Sequence, residues 1–182
     1  MSKVAVVFTD GVEEIEGLTV VDLVRRAKIQ LDMISIKDTK QIEGSHGIIF
    51  QTDKLYKDTD IDSYDMLVLP GGPGTQNLKA FKPLHEDIIR FNAAGKNIAA
   101  ICAAPTVFGM LGLLDGKHAC SFEACEEGLT GAVVSRDEVV TDGNITTSRG
   151  VGTAIAFALR LVEILKSKEE ADALGKSIMY KL

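Results

Sequence analysis

The stretch from Asn97 to Gly109, Asn-Ile-Ala-Ala-Ile-Cys-Ala-Ala-Pro-Thr-Val-Phe-Gly, most constrains what this chain can fold into. Ile98 to Ile101 is a short apolar run of the kind buried in a parallel sheet. Thr106 to Leu114 reads as a buried helix, and Pro105 stands where a helix's first turn accepts proline. Between them lies Cys102, flanked by alanines. Read as small–x–nucleophile–x–small, Ala100-Ile101-Cys102-Ala103-Ala104 has the layout of a nucleophile elbow, a strand-to-helix turn too sharp for large neighbours. Such a turn lifts the thiol to the sheet edge, against helix N–H groups that favour the thiolate. The alternative is a core cysteine, since free cysteines are often buried.

The rest of the chain alternates strands and helices. Lys3 to Phe8 is a first strand, followed by the Thr9-Asp10-Gly11 turn and a helix from Ile15 to Ala27 with apolar positions at Ile15, Leu18, Val21 and Leu23/Val24. Leu31 to Ile36 is a second strand, and Gly44 to Lys54 reads as extended around Ile48, Ile49 and Phe50. Asp65 to Leu69 is a strand ended by Pro70-Gly71-Gly72-Pro73-Gly74. Helices follow at Thr75 to Ala80 and Pro83 to Ala94, with Gly95 as a cap. His118 to Phe122 and Ala132 to Ser135 are short strands. Asp142-Gly143-Asn144 between two extended runs is a hairpin signal. Helices at Gly152 to Leu165 and Lys168 to Ile178 complete the chain. The pattern gives one domain, an α/β sandwich of three layers with a mostly parallel sheet.

Composition narrows the function classes. At 182 residues and 46% hydrophobic, the chain has room for a substantial core. Its 26 acidic and 20 basic residues leave a net charge of −6, which argues against general nucleic-acid or membrane-surface binding. Three cysteines do not make a disulfide framework, and Cys120-x4-Cys125 lacks a second pair at zinc spacing, so these two are read as structural and no metal is expected. No signal-peptide pattern or membrane-spanning run is present, and a reducing, cytoplasmic setting is expected.

In an open α/β sheet the functional crevice lies beyond the carboxyl ends of the strands. Three segments end there: the Asp10 to Glu16 loop, the Pro70 to Gly74 loop and the Cys102 turn. The N–H groups of Gly71, Gly72 and Ala103 are placed to bind an oxyanion formed when Cys102 attacks a carbonyl. A carboxyl kept protonated by burial could donate to the sulfur and shuttle protons. Glu13 and Glu14 read as solvated first-turn residues, whereas Glu16, next to Gly17, must face differently. His46, His85 and His118 read as surface or packing residues, so no Cys–His pair is assigned.

With these residues in hand, the chain resembles the ThiJ/PfpI superfamily, and within it the Parkinsonism-associated deglycase, or glyoxalase III, branch. The matching runs are Asp10-Gly11-Val12-Glu13-Glu14-Ile15-Glu16, Val21-Asp22-Leu23-Val24-Arg25-Arg26-Ala27, Val68-Leu69-Pro70-Gly71-Gly72, Ala100-Ile101-Cys102-Ala103-Ala104-Pro105 and Thr147-Ser148-Arg149-Gly150-Val151-Gly152-Thr153. The resemblance implies a flavodoxin-like (class I glutamine amidotransferase-like) sandwich, a homodimer, and no metal or organic cofactor. It places the reactive cysteine on Cys102, its protonated partner on Glu16 and the oxyanion amides on Gly72 and Ala103, with Gly71 and Phe122 lining the pocket. It also implies ready oxidation of Cys102 to a sulfinate held by Glu16, as suits an exposed low-pKa thiol. Where the family often has a histidine near the cysteine, this chain aligns Phe122, which puts a histidine-dependent amidase or peptidase in doubt. The expected activity is on a small aldehyde or glycated substrate, methylglyoxal to lactate. The alternatives are a redox-responsive stress protein or chaperone working through Cys102, and a PfpI-like amidase or peptidase.

Overall fold

The computed structural model describes residues 2–181. Its strands are β1 (Lys3–Phe8), β2 (Gln30–Ser35), β3 (Gln41–Glu43), β4 (Ile49–Gln51), β5 (Lys54–Leu55), β6 (Met66–Leu69), β7 (Asn97–Ile101), β8 (His118–Ala119), β9 (Val133–Val134), β10 (Val139–Asp142) and β11 (Ile145–Ser148). Its helices are α1 (Glu14–Arg26), α2 (Thr75–Ala80), α3 (Lys82–Ala93), α4 (Pro105–Met110), α5 (Ala154–Leu165) and α6 (Lys168–Ser177). The main sheet runs β10-β11-β7-β6-β1-β2-β5, parallel except for the β10–β11 hairpin. The Asp142-Gly143-Asn144 signal makes that hairpin, with Gly143 at φ +62°.

Alternation along the central strands builds two apolar layers. Val4, Val6 and Phe8 of β1, Met66 and Val68 of β6, and Ala99 and Ile101 of β7 pack under α1 and α5. The intervening Ala5, Val7, Leu67, Leu69, Ile98 and Ala100 pack under α3 and α4. A strand covered on both faces has no polar position to offer, which is why these segments read as continuous apolar runs. The result is the expected flavodoxin-like three-layer sandwich.

Three expectations need correction. Gly44 to Lys54 is not one extended segment: residues 44–48 form the turn of a small β3–β4 hairpin, and only β5 joins the main sheet. That turn follows from Gly47, which sits at φ +76° and breaks any strand. The helix after Cys102 stops at Met110, with Gly112 at φ +71° ending the run before Leu114. Ile15, counted on the buried stripe of α1, is turned outward, while Glu14 and Glu16 are buried. No helix among the described residues is long and apolar enough to cross a membrane.

Candidate active site

The site forms where β1, β6 and β7 end side by side, and Cys102 is its centre. Cys102 has φ +65°, a left-handed conformation rare for a residue with a Cβ. Two hydrogen bonds hold it there. Its N–H donates to Ser148 O at 3.0 Å, continuing the β7–β11 pairing, and its C=O accepts from Phe122 N at 2.9 Å. The turn is therefore the sharp strand-to-helix elbow that the alanines around Cys102 anticipated. The thiol is half-buried rather than sealed in the core.

Glu16 reaches the thiol from the first turn of α1 and is fully buried. Its Oε2 accepts from Gly71 N at 3.0 Å, while Gly71 O accepts from Glu13 N at 3.0 Å. This pair of bonds fastens the Pro70–Gly74 loop to the start of α1. Glu13 caps the helix, its Oε2 accepting from Glu16 N at 2.9 Å. Gly71 is required here: a Cβ on it would lie 2.6 Å from Cys102 Cβ and 2.7 Å from Glu16 Oε2. Gly72, at φ +90°, turns the loop so that its own amide faces the sulfur.

Burial dominates the electrostatics. It raises the Glu16 carboxyl to about 7, with the Glu13 charge adding to the rise and the bonds to Cys102 and Gly71 opposing it. Burial also pushes the Cys102 thiol up to about 12, and a charged Glu16 beside it reinforces the rise. The amides of Gly72 and Ala103 pull the thiol the other way. The expected exposed, low-pKa thiol is thus corrected: carboxylate and thiolate cannot both ionise side by side, so the pair shares one proton over a wide pH range. With that proton on Glu16, the repulsion disappears and the two amides stabilise the sulfur anion. Among the described residues Glu16 Oε1 has no hydrogen-bond partner, which favours the protonated acid at that buried position.

Two cavities open on the thiol. One, of about 400 Å³, is lined by Glu13, Glu16, Cys102, Phe122, Arg149 and Gly150, among others. The other, of about 570 Å³, lies on the far side of Phe122 and includes Gly72, Thr75, Lys79, Ala103 and Cys125. Phe122 lines both and stands half exposed between them.

Several placements differ from expectation. Gly71 is buried behind the site rather than lining it, and its N–H, spent on Glu16, is not free for an oxyanion. Gly72 and Ala103 remain for that role. Glu13 and Glu14 are buried rather than solvated, because both act as acceptors. Glu14 takes His46 N at 2.8 Å and His46 Nδ1 at 2.9 Å, and these bonds outweigh its burial and hold its carboxyl at about 2. The group Glu13, Glu14 and His46, whose ligand-type atoms lie within 4.8 Å of one another, is thereby a clamp on the 44–48 turn. No histidine lines either cavity. Cys120 is fully buried, as a structural cysteine should be, but Cys125 is half-buried on a cavity wall. Arg149 was not singled out from the sequence. It lines the cavity because β11 runs beside β7, and its Nε finds no partner. The only available signal was the Thr147-Ser148-Arg149-Gly150 run directly after the hairpin.

A left-handed cysteine at the end of a central parallel strand, backed by a buried glutamate, defines a cysteine-elbow α/β protein. The chain belongs to the DJ-1/PfpI family, whose model matches residues 2–164. It is 36% identical over 183 residues to Protein dj-1beta of Drosophila melanogaster, covering 98% of each chain. To Protein DJ-1 homolog B of Arabidopsis thaliana it is 38% identical over 174 residues, 93% of this chain but 39% of that longer protein. It is 29% identical over 170 residues to Glutathione-independent glyoxalase DJR-1.2 of Caenorhabditis elegans, covering 93% and 91%. The solved structure of oxidized Toxoplasma gondii DJ-1 superposes with a TM-score of 0.95 at 32% identity, over the whole of both chains.

Proposed function

We propose that the protein is a cysteine-dependent enzyme acting on small reactive carbonyls, converting methylglyoxal to lactate without a cofactor. The observation that carries this is the left-handed Cys102 elbow backed by fully buried Glu16, whose Oε2 accepts from Gly71 N. With the proton on Glu16, the thiolate adds to the aldehyde carbon, and the new oxyanion is held by the Gly72 and Ala103 amides and protonated by Glu16. Glu16, now ionised, takes the proton from the hemithioacetal carbon to give an enediolate and returns it to the neighbouring carbon, while the hydroxyl proton passes from the first oxygen to the second. The resulting lactoyl thioester is hydrolysed by water, which frees the thiol. Deglycation of early glycated thiols or amines uses the same groups. The glyoxalase name carried by the nematode relative supports this chemistry. A reducing, cytoplasmic setting suits its three unpaired cysteines.

The test is lactate formation from methylglyoxal without glutathione. Freshly reduced wild type is expected to turn over, and Cys102→Ser to be inactive with an unchanged circular dichroism spectrum. No turnover in the reduced wild type sinks the carbonyl enzyme. A redox-responsive stress protein then takes its place, a reading favoured by Glu16 and Cys102 lining one cavity and by the unpartnered Glu16 Oε1, a group able to meet a sulfinate oxygen. A homodimer is proposed with either. Support comes from exposed Ile15, Ile48 and Ile155 around a groove of about 660 Å³ on α1 and α5. Sedimentation is expected to give twice the chain mass, and Ile15→Glu to give the single chain.

A further inference from the structure

Cys102 is not the only thiol on its cavity. The cavity of about 570 Å³ beyond Phe122 is lined by both Cys102 and Cys125, and both residues are half-buried. The two residues are joined by a short relay of backbone bonds. Phe122 N–H donates to Cys102 O at 2.9 Å, and Cys125 N–H donates to Phe122 O at 2.8 Å. Cys125 rides on the 3₁₀ turn Glu123–Gly128, in which no residue is buried. A disulfide needs Cα atoms within about 7 Å, and a surface turn with no buried side chain can shift to meet that without breaking the core. The third thiol, Cys120, is fully buried and hydrogen-bonded to Thr147, which removes it from competition.

We propose that Cys125 is the resolving thiol of Cys102: a hydroperoxide is reduced at Cys102, and the pair closes as an intramolecular disulfide. The Cys102 thiolate attacks the terminal oxygen of ROOH, the O–O bond breaks, and the departing alkoxide takes the proton from Glu16 to leave as ROH. Cys102 is then a sulfenic acid. The Cys125 sulfur attacks the sulfenic sulfur, an S–S bond forms, the S–O bond breaks, and the oxygen leaves as water with the Cys125 proton. In sum, two thiols and ROOH give a disulfide, ROH and water, and an external dithiol restores the pair by exchange. The disulfide diverts Cys102 from the sulfinate, which a dithiol cannot reduce. The proposal is independent of the carbonyl chemistry, since it needs no aldehyde.

The test treats reduced protein with two equivalents of hydrogen peroxide, then counts thiols after denaturation and maps peptides without reduction. Titratable thiols are expected to fall from three per chain to one, with a Cys102–Cys125 peptide that dithiothreitol restores. Cys125→Ser, a change on a turn with no buried residue, is expected to lose the linkage and to carry two added oxygens on Cys102 that dithiothreitol does not remove. The proposal is overturned if wild type gains the same two oxygens as fast as Cys125→Ser. Linkage through Cys120 or only between chains, or no thiol loss in wild type, overturns it equally.

Discussion

Replacing Glu16 by glutamine is expected to abolish carbonyl turnover while making the fold more stable at alkaline pH. Glutamine matches the shape of the protonated acid, so its amide still fits beside Gly71 and Cys102. It can neither give up nor take back a proton, and a loss of roughly 10²–10⁴-fold is the usual scale for a positioned acid–base group. The stability effect follows from linkage. The carboxyl is raised to about 7 in the folded chain against 4.5 for an ordinary glutamate, so the native state binds more protons than the unfolded state between these values. Its contribution is therefore fully present below about 4.5 and lost as pH rises through about 7. Above pH 7 the wild type carries a penalty of up to roughly 3 kcal/mol that the glutamine variant lacks. Thermal melts at pH 4 and pH 8 check this: equal midpoints at acid pH, and a higher midpoint for Glu16→Gln at alkaline pH. A variant less stable at both would mean that the carboxyl is ionised and needed for packing.

The second large effect is expected from a single methyl group. Gly71→Ala places a Cβ 2.6 Å from Cys102 Cβ, 2.7 Å from Glu16 Oε2 and 2.7 Å from Ile101 O. None of the three is the free end of a flexible chain, so the loop itself must move, and the Gly71 N–H to Glu16 bond lengthens or breaks. Overpacking of this kind costs about 1–3 kcal/mol. Displacing the reacting groups by an ångström costs on the order of 10²-fold in rate. Gly152→Ala is the control for stability, because a Cβ there meets nothing within 4 Å and its φ is not left-handed. Denaturant unfolding is expected to separate the two, with Gly71→Ala destabilised and Gly152→Ala unchanged.

The central strands were legible in the sequence because burial on both faces leaves only apolar residues in them, as at Val4 to Phe8 and Met66 to Leu69. The elbow was legible for a related reason, since only small residues tolerate the turn around Cys102. What stayed hidden was polar burial. Glu14 and Glu16 are both carboxylates on one helical turn, yet the bonds from His46 hold one at about 2, while burial, only partly opposed by the Gly71 bond, raises the other to about 7. Periodicity cannot carry that distinction, because the partners, His46 and Gly71, come from distant loops. For the same reason Gly71 looked like an oxyanion donor until its N–H was found on Glu16. The cavity face of Cys125 was likewise out of reach, as it depends on a turn folding back beside Phe122.

The bond from Cys102 N–H to Ser148 O has a consequence for biosynthesis. Ser148 lies on β11, which pairs with β7 on one side and with β10 on the other. A nascent chain must therefore add residues 103–148 after its cysteine before the bond that holds the left-handed turn can form. The turn is thus completed late, once four-fifths of the chain has been made and the parallel sheet, slow to assemble from distant segments, has closed.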